Sequence, residues 1–252
     1  MFFLSDVLWA QKAGNPEEEY EDAFWPRIGV SGESRTELSV AVADGATEAS
    51  FAGVWARQLV HAYCRGILNS NNLRDSLLKK QRAWARFVER KPLPWYAEEK
   101  VRNGAFSTIL GFSMRDGDGT TSSGSWDAFA VGDSCVVQIR DEAPLTSFPL
   151  SNAAEFTNNP FLLGSKPEAN VGIDSQTKTQ TGTWQSGDKF YLMTDALAAW
   201  FFREAENSQA PWRALRDLDT DELPFRPWLD NLRDTHQMRN DDVTLYRIDI
   251  EF

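Results

Sequence analysis

GDKFYLMTDA, residues 187–196, holds a short apolar strand that closes on Thr194 and Asp195, and two other stretches share its plan. ELSVAVADG, residues 37–45, reads as a buried strand ending on Asp44 and Gly45. DDVTLYRIDI, residues 241–250, opens on Asp241 and Asp242 before an alternating apolar run. In an antiparallel sheet the C-terminal end of one strand lies beside the N-terminal start of its neighbour, so Asp44, Asp195 and Asp241 are expected to converge on one edge. Asp133, in the Gly132-Asp133 turn between WDAFAV and SCVVQIR, can join them, because glycine takes the positive φ that a two-residue hairpin requires.

Outward from these strands, residues Ala49–Leu68 carry apolar side chains at helical spacing, which makes the order strand, turn, helix. Leu73–Arg90 predicts a second helix, apolar on one side and basic elsewhere, stopped by Pro92 and Pro94, and Trp95–Arg102 a short third. From Ala105 the pattern changes to strands, with RDGDGTTSSGSWD, Arg115–Asp127, as a hairpin loop; it lacks the glycine and the closing glutamate of a calcium-binding loop. Residues 141–187 read as loops and short strands around the site, with Ser151–Thr183 as a flap. Ala196–Glu206 and Leu223–His236 read as helices. Interspersed helices and antiparallel strands without βαβ alternation place the chain in the α+β class. No linker divides it, so one domain over residues 1–252 is expected.

Charge excludes some partners. The 252 residues hold 37 acidic and 26 basic side chains, a net −11, and such a surface repels nucleic-acid phosphates. No apolar run reaches membrane-span length, and the start MFFLSDVLWAQK lacks the features of an export signal, so a soluble, cytoplasmic protein is expected. Cys64 and Cys135 are too few for a disulfide framework or a cysteine-based zinc site. Glu17–Asp22, within EEEYED, is densely acidic. Carboxylates gathered at one place repel unless a cation neutralises them, and hard oxygen ligands point to Mg²⁺ or Mn²⁺.

With these motifs in order, the chain resembles the protein phosphatase 2C-type, metal-dependent (PPM) serine/threonine phosphatases, from about Gly14 to Ile250. The family's Glu-Asp pair matches Glu21-Asp22, its strand-end Asp-Gly matches Asp44-Gly45, and its small-residue Ser/Thr motif matches GAFST, residues 104–108. Its Gly-Asp-Ser matches Gly132–Ser134, its Gly-Asp, strand, Thr-Asp series matches residues 187–196, and its closing motif matches Asp241, Asp242 and Thr244. The resemblance implies a four-layer α-β-β-α sandwich with two central antiparallel sheets and a two-metal site at one end. It implies that Asp44 bridges both ions, Asp195 and Asp241 hold one each, Gly45 offers its carbonyl, and Asp22, with Glu21, acts through metal-bound water. Asp133 with Asp195 resembles the pair that holds a third, weaker ion in bacterial members. Asp44, Asp195 and Asp241 are then the catalytic residues, and the substrate is a phosphoprotein made by a serine/threonine kinase and hydrolysed by a monomer.

The sequence departs from the family at four positions. Glu17 stands where members place the phosphate-holding Arg, and Lys12, Arg27 and Arg35 are the candidates to replace it. Ala46 stands where eukaryotic members carry a His, Ala196 replaces a Gly, and Asp242 replaces an Asn. The missing Arg motivates an alternative: a catalytically weak or inactive phosphatase-like module that binds a partner or a phosphopeptide. Neither His61 nor His236 lies in a motif; of the ten tryptophans, Trp25, close to the Glu-Asp pair, is the one set apart from core packing.

Overall fold

A computed structural model describes residues 2–26, 37–46, 51–92, 101–117, 122–219 and 223–251. In chain order the elements are β1 (Phe2–Ala10), β2 (Ala23–Trp25), β3 (Glu37–Ala43), α1 (Ala52–Cys64), α2 (Leu73–Val88), β4 (Phe106–Ser107), β5 (Ile109–Asp116), β6 (Ser123–Val131), β7 (Cys135–Arg140), β8 (Ala143–Phe148), β9 (Leu163–Gly164), β10 (Lys178–Gln185), β11 (Lys189–Met193), α3 (Asp195–Glu206), α4 (Pro211–Asp217), α5 (Phe225–Asp234) and β12 (Val243–Glu251). They build two five-stranded antiparallel sheets, ordered β1-β12-β11-β7-β8 and β10-β6-β5-β3-β2.

Period-two alternation explains the layering. On β12, Tyr246, Ile248 and Ile250 face the other sheet, while Val243 and Leu245 face the helices. On β3, Leu38, Val40 and Val42 enter the inter-sheet core, and Ala41 and Ala43 leave room for α1. Phe112 sits at the centre, its ring 4.9 Å from that of Phe190 and 5.6 Å from that of Trp126. Helices α3, α4 and α5 cover the first sheet through Trp200, Phe201 and Leu229, and α1 and α2 cover the second through Trp55, Leu59 and Trp84. The outcome is the expected α-β-β-α sandwich. Among the described residues, no helix is long and apolar enough to cross a membrane.

Three expectations change. The opening MFFLSDVLWA has no assigned role as a strand in the sequence reading, yet β1 pairs along its whole length with β12. The hairpin loop is shorter than Arg115–Asp127, because β5 runs to Asp116 and β6 begins at Ser123. The Ser151–Thr183 flap is largely fixed. Within it β9 pairs with β4, Trp55 Nε1 donates to the Leu163 carbonyl at 2.8 Å, Gln81 Nε2 donates to the Gly164 carbonyl at 2.9 Å, and residues from Lys178 onward are sheet. From both of its ends, Glu155, Thr157 and Phe161 on one side and Gln176 and Lys178 on the other line the depression that holds Asp133. The helix expected at Trp95–Arg102 lies mostly outside the described residues, as do Arg27 and Arg35.

Candidate active site

Strand register assembles the site. Pairing of Ala23 with Ala43 sets Asp22, just before β2, beside Asp44, just after β3. In the other sheet, pairing of Met193 with Leu245 sets Thr194 beside Thr244, and so brings Asp195 and Asp241 to the same end. The β6–β7 turn is not the expected hairpin, because β6 and β7 belong to different sheets; it crosses from one to the other and delivers Asp133. Two glycines permit this closeness. A Cβ on Gly45 would stand 2.5 Å from the Glu21 carbonyl oxygen, and Gly132, at φ +103°, would press a Cβ to 2.5 Å from the Thr108 side chain.

Hydroxyls fix the backbone under the acids. Thr108 Oγ1 accepts the Asp44 N–H at 2.9 Å and lies 2.8 Å from Ser134 Oγ, while the Thr108 N–H returns to the Asp44 carbonyl at 2.9 Å. Thr244 donates its hydroxyl to Asp22 Oδ2 at 2.8 Å, and Thr194 Oγ1 accepts the Thr244 N–H at 2.9 Å. The nearly buried Arg233, which the sequence reading passed over, donates to the backbone carbonyls of Asp241 and Gln11 and so fixes the entry to β12.

Burial and mutual repulsion dominate the electrostatics. Burial pushes Asp44 well above the ordinary carboxylate range, and the charges of Asp22, Asp195, Asp241 and Asp133 add to it. Asp22 is raised well above that range by burial and by Asp242. Asp133 is raised to about 7 by burial, then by Asp195. Asp195 is raised by burial, against the pull of Arg239. Two buried oxygens, Asp22 Oδ1 and Asp133 Oδ1, accept no hydrogen bond.

Two internal cations partly compensate this charge. Lys12 Nζ lies 3.0 Å from Asp241 Oδ1, and the half-exposed Arg239 guanidinium spans Asp195 and Asp241, at 2.6 Å from the latter. Lys12, a candidate for the missing phosphate-holding Arg, is paired with Asp241. Arg239 was missed, although its place two residues before Asp241 was a usable signal. With Arg239 wedged between two of the acids, no three His, Cys, Asp or Glu side chains among the described residues stand as a ready-made metal cage. The donors nonetheless suit a hard divalent cation: they are oxygens, five carboxylates against two cations, with two acceptors unfilled.

Asp242 has a different task from its neighbour. Its carboxylate accepts the Lys12 N–H at 2.8 Å and the Glu21 N–H at 2.7 Å, tying the end of β1 and the Glu-Asp segment to β12. Asp242→Ala would leave both donors without this acceptor and is expected to cost on the order of 2 kcal/mol, seen as a lower urea midpoint at unchanged m-value. Trp25 packs away from the acids, its ring 3.9 Å from that of His61 on α1.

At the level of fold, the chain is similar to the Mycobacterium tuberculosis serine/threonine phosphatase PstP/Ppp, with a TM-score of 0.58 at 14% identity over 99% of each chain. It is similar to the catalytic domain of PstP in complex with two manganese ions, with a TM-score of 0.55 at 14% identity over 100% of each chain. It is also similar to the S. agalactiae serine/threonine phosphatase, with a TM-score of 0.51 at 15% identity over 99% of this chain and 100% of that one. No curated protein is significantly similar to the chain in sequence. A sequence profile of protein phosphatase 2C matches residues 18–243, from the acidic run before Asp22 to the first residue of β12, and the chain therefore belongs to the protein phosphatase 2C family.

Proposed function

We propose that this chain hydrolyses phosphoserine and phosphothreonine esters in proteins with two bound Mg²⁺ or Mn²⁺ ions, held by Asp44, the Gly45 carbonyl, Asp195 and Asp241, with Asp22 acting through water. In this reading Asp133 with Asp195 offers a weaker third site, and residues 1–252 act as one phosphatase domain, a cytoplasmic monomer serving a serine/threonine kinase. The observation that carries it is the convergence of five carboxylates from both sheets, two of whose buried oxygens lack any donor.

When bound, such ions acidify a water and neutralise charge on the phosphoryl oxygens. The chain itself positions and orients. Thr108 and Ser134 hold the backbone of Asp44, Thr244 orients Asp22, and Arg233 sets the start of β12. Arg239, at the rim, is the guanidinium suited to two-pronged contact with a phosphoryl group where Glu17 cannot serve. The side chains that usually act as nucleophiles are unsuited. Burial pushes the Cys64 thiol up to about 12 and raises that of Cys135 further, the His61 ring packs against that of Trp25, and His236 lies beyond α5. Water is then the nucleophile.

Purified full chain is expected to release phosphate from p-nitrophenyl phosphate and from a phosphothreonine peptide with Mn²⁺ or Mg²⁺ and not with EDTA; equal release in EDTA contradicts the proposal. The internal pairing of Lys12 and Arg239 with the acids, together with Glu17, favours a second reading as a phosphopeptide-binding module. Metal-dependent phosphopeptide binding without phosphate release under any metal condition would establish it.

The acids also predict a pH dependence. Asp133 is raised from 3.8 to about 7, so the metal-free fold favours its neutral form; this stabilisation is complete below about 3.8 and is lost as pH rises through about 7. In EDTA the protein is expected to melt about 5 °C higher near pH 5.5 than near pH 7.5, with Asp133→Asn narrowing the gap, as read by scanning calorimetry. A pH-independent melting temperature would contradict this.

A further inference from the structure

One helix carries charge opposite to that of the molecule. Between residues 73 and 91 there are seven basic side chains and two acidic ones, a local +5 in a chain of net −11. On α2 the apolar face, with Leu77, Trp84 and Val88, is buried against the α1 layer. Lys79, Arg82, Arg86 and Arg90 recur at three- and four-residue spacing, which aligns them along one exposed side of the helix and its closing turn. No carboxylate among the described residues pairs with any of the four; the Arg86 Nε donates to the Arg82 backbone carbonyl, which leaves its charge uncompensated. The stripe spans 12 residues, about 16 Å at helical rise, the length of about five residues of extended peptide.

The stripe also leads toward the acids. Beside its C-terminal end lies an open depression of about 470 Å³ lined by Ala83, Arg86, Phe87, Arg90 and Lys91. The Phe87 ring meets Phe51 edge-on at 5.7 Å, Phe51 caps the N-terminus of α1, and the first residue of that helix, Ala52, closes on Gly45 beside Asp44. We infer that the α2 stripe is a docking track for an acidic peptide segment, a run of Asp and Glu of about five residues flanking the phosphorylated residue of the substrate. This assignment rests on the phosphatase reading for the role of the bound segment. Net charge decides against the other polyanions: a DNA duplex or an anionic bilayer is broad and would also meet the acidic remainder of the surface, whereas a short peptide can meet the stripe alone.

The test uses the full chain, the variant R82E/R86E/R90E and the neutral variant R82Q/R86Q/R90Q. Two fluorescein-labelled phosphothreonine peptides, one flanked by Asp and Glu and one by Ser and Ala, are titrated by anisotropy in EDTA, where turnover does not interfere. The wild type is expected to prefer the acidic peptide. The Glu variant should lose about tenfold in affinity for it, the size expected of three exposed charge contacts, and the Gln variant less. Affinity for the neutral peptide and Mn²⁺-dependent turnover of p-nitrophenyl phosphate should hold in all three proteins, which also reports that the variants are folded. Unchanged affinity of the Glu variant for the acidic peptide would overturn the inference, as would tighter wild-type binding to duplex DNA or phosphatidylserine vesicles. Absence of p-nitrophenyl phosphate turnover in every form would count against the phosphatase reading alone, since the anisotropy comparison decides docking without it.

Discussion

Asp44→Asn is expected to abolish metal-dependent phosphate-ester hydrolysis, lowering kcat/KM by about 10³-fold or more, because the largest share of rate acceleration at such a site comes from charge stabilisation that this carboxylate anchors. The substitution is nearly isosteric, and the Asp44 backbone contacts to Thr108 survive it. Its effect on stability should run the other way. Asp44 is half-buried, largely desolvated and repelled by Asp22, Asp195, Asp241 and Asp133, so removing its charge relieves strain in the metal-free protein. The variant should therefore melt higher than wild type in EDTA and gain less from added Mn²⁺. Loss of activity with a lower melting temperature in EDTA would point instead to simple misfolding.

The second large effect lies far from the acids. Phe112 is fully buried between the sheets, against Phe190 on one and Trp126 on the other. Phe112→Ala deletes the ring at the point where the layers meet and is expected to cost about 4 kcal/mol, the transfer energy plus an uncollapsed cavity. Chemical denaturation should show the midpoint falling at constant m-value. Because the site is built from strand ends fixed by their own pairing and hydroxyl contacts, the surviving folded fraction should keep its metal-dependent turnover. A cost below 1 kcal/mol would mean that the sheets do not pack through this ring.

The central strands were legible because a strand buried on both faces is apolar nearly throughout, as in SVAVA and FYLM, and because VTLYRIDI alternates over its second half. Edge strands escaped. β10, KTQTGTWQ, buries little besides Trp184, and its Thr-rich surface reads as loop until its pairing with β6 is seen. The N-terminal strand has apolar neighbours in unbroken runs, so its alternation is blurred. At the site, the strand-end acids were legible from position alone. Asp242 reads from sequence as added charge, and its work as a brace depends on N–H groups 230 and 221 residues away. Arg239 was not legible because it lies more than 200 residues from the segment where the family places its Arg, and only the fold brings it to the acids.

The central claim is that these strand-end carboxylates, with Asp44 between the sheets, hold catalytic divalent ions. Calorimetric titration of Mn²⁺ into the metal-free wild type and into Asp44→Asn tests it most directly. The account predicts about two ions per wild-type chain and at least tenfold weaker or fewer-site binding by the variant. Identical isotherms for the two proteins, or no binding by the wild type, would contradict it.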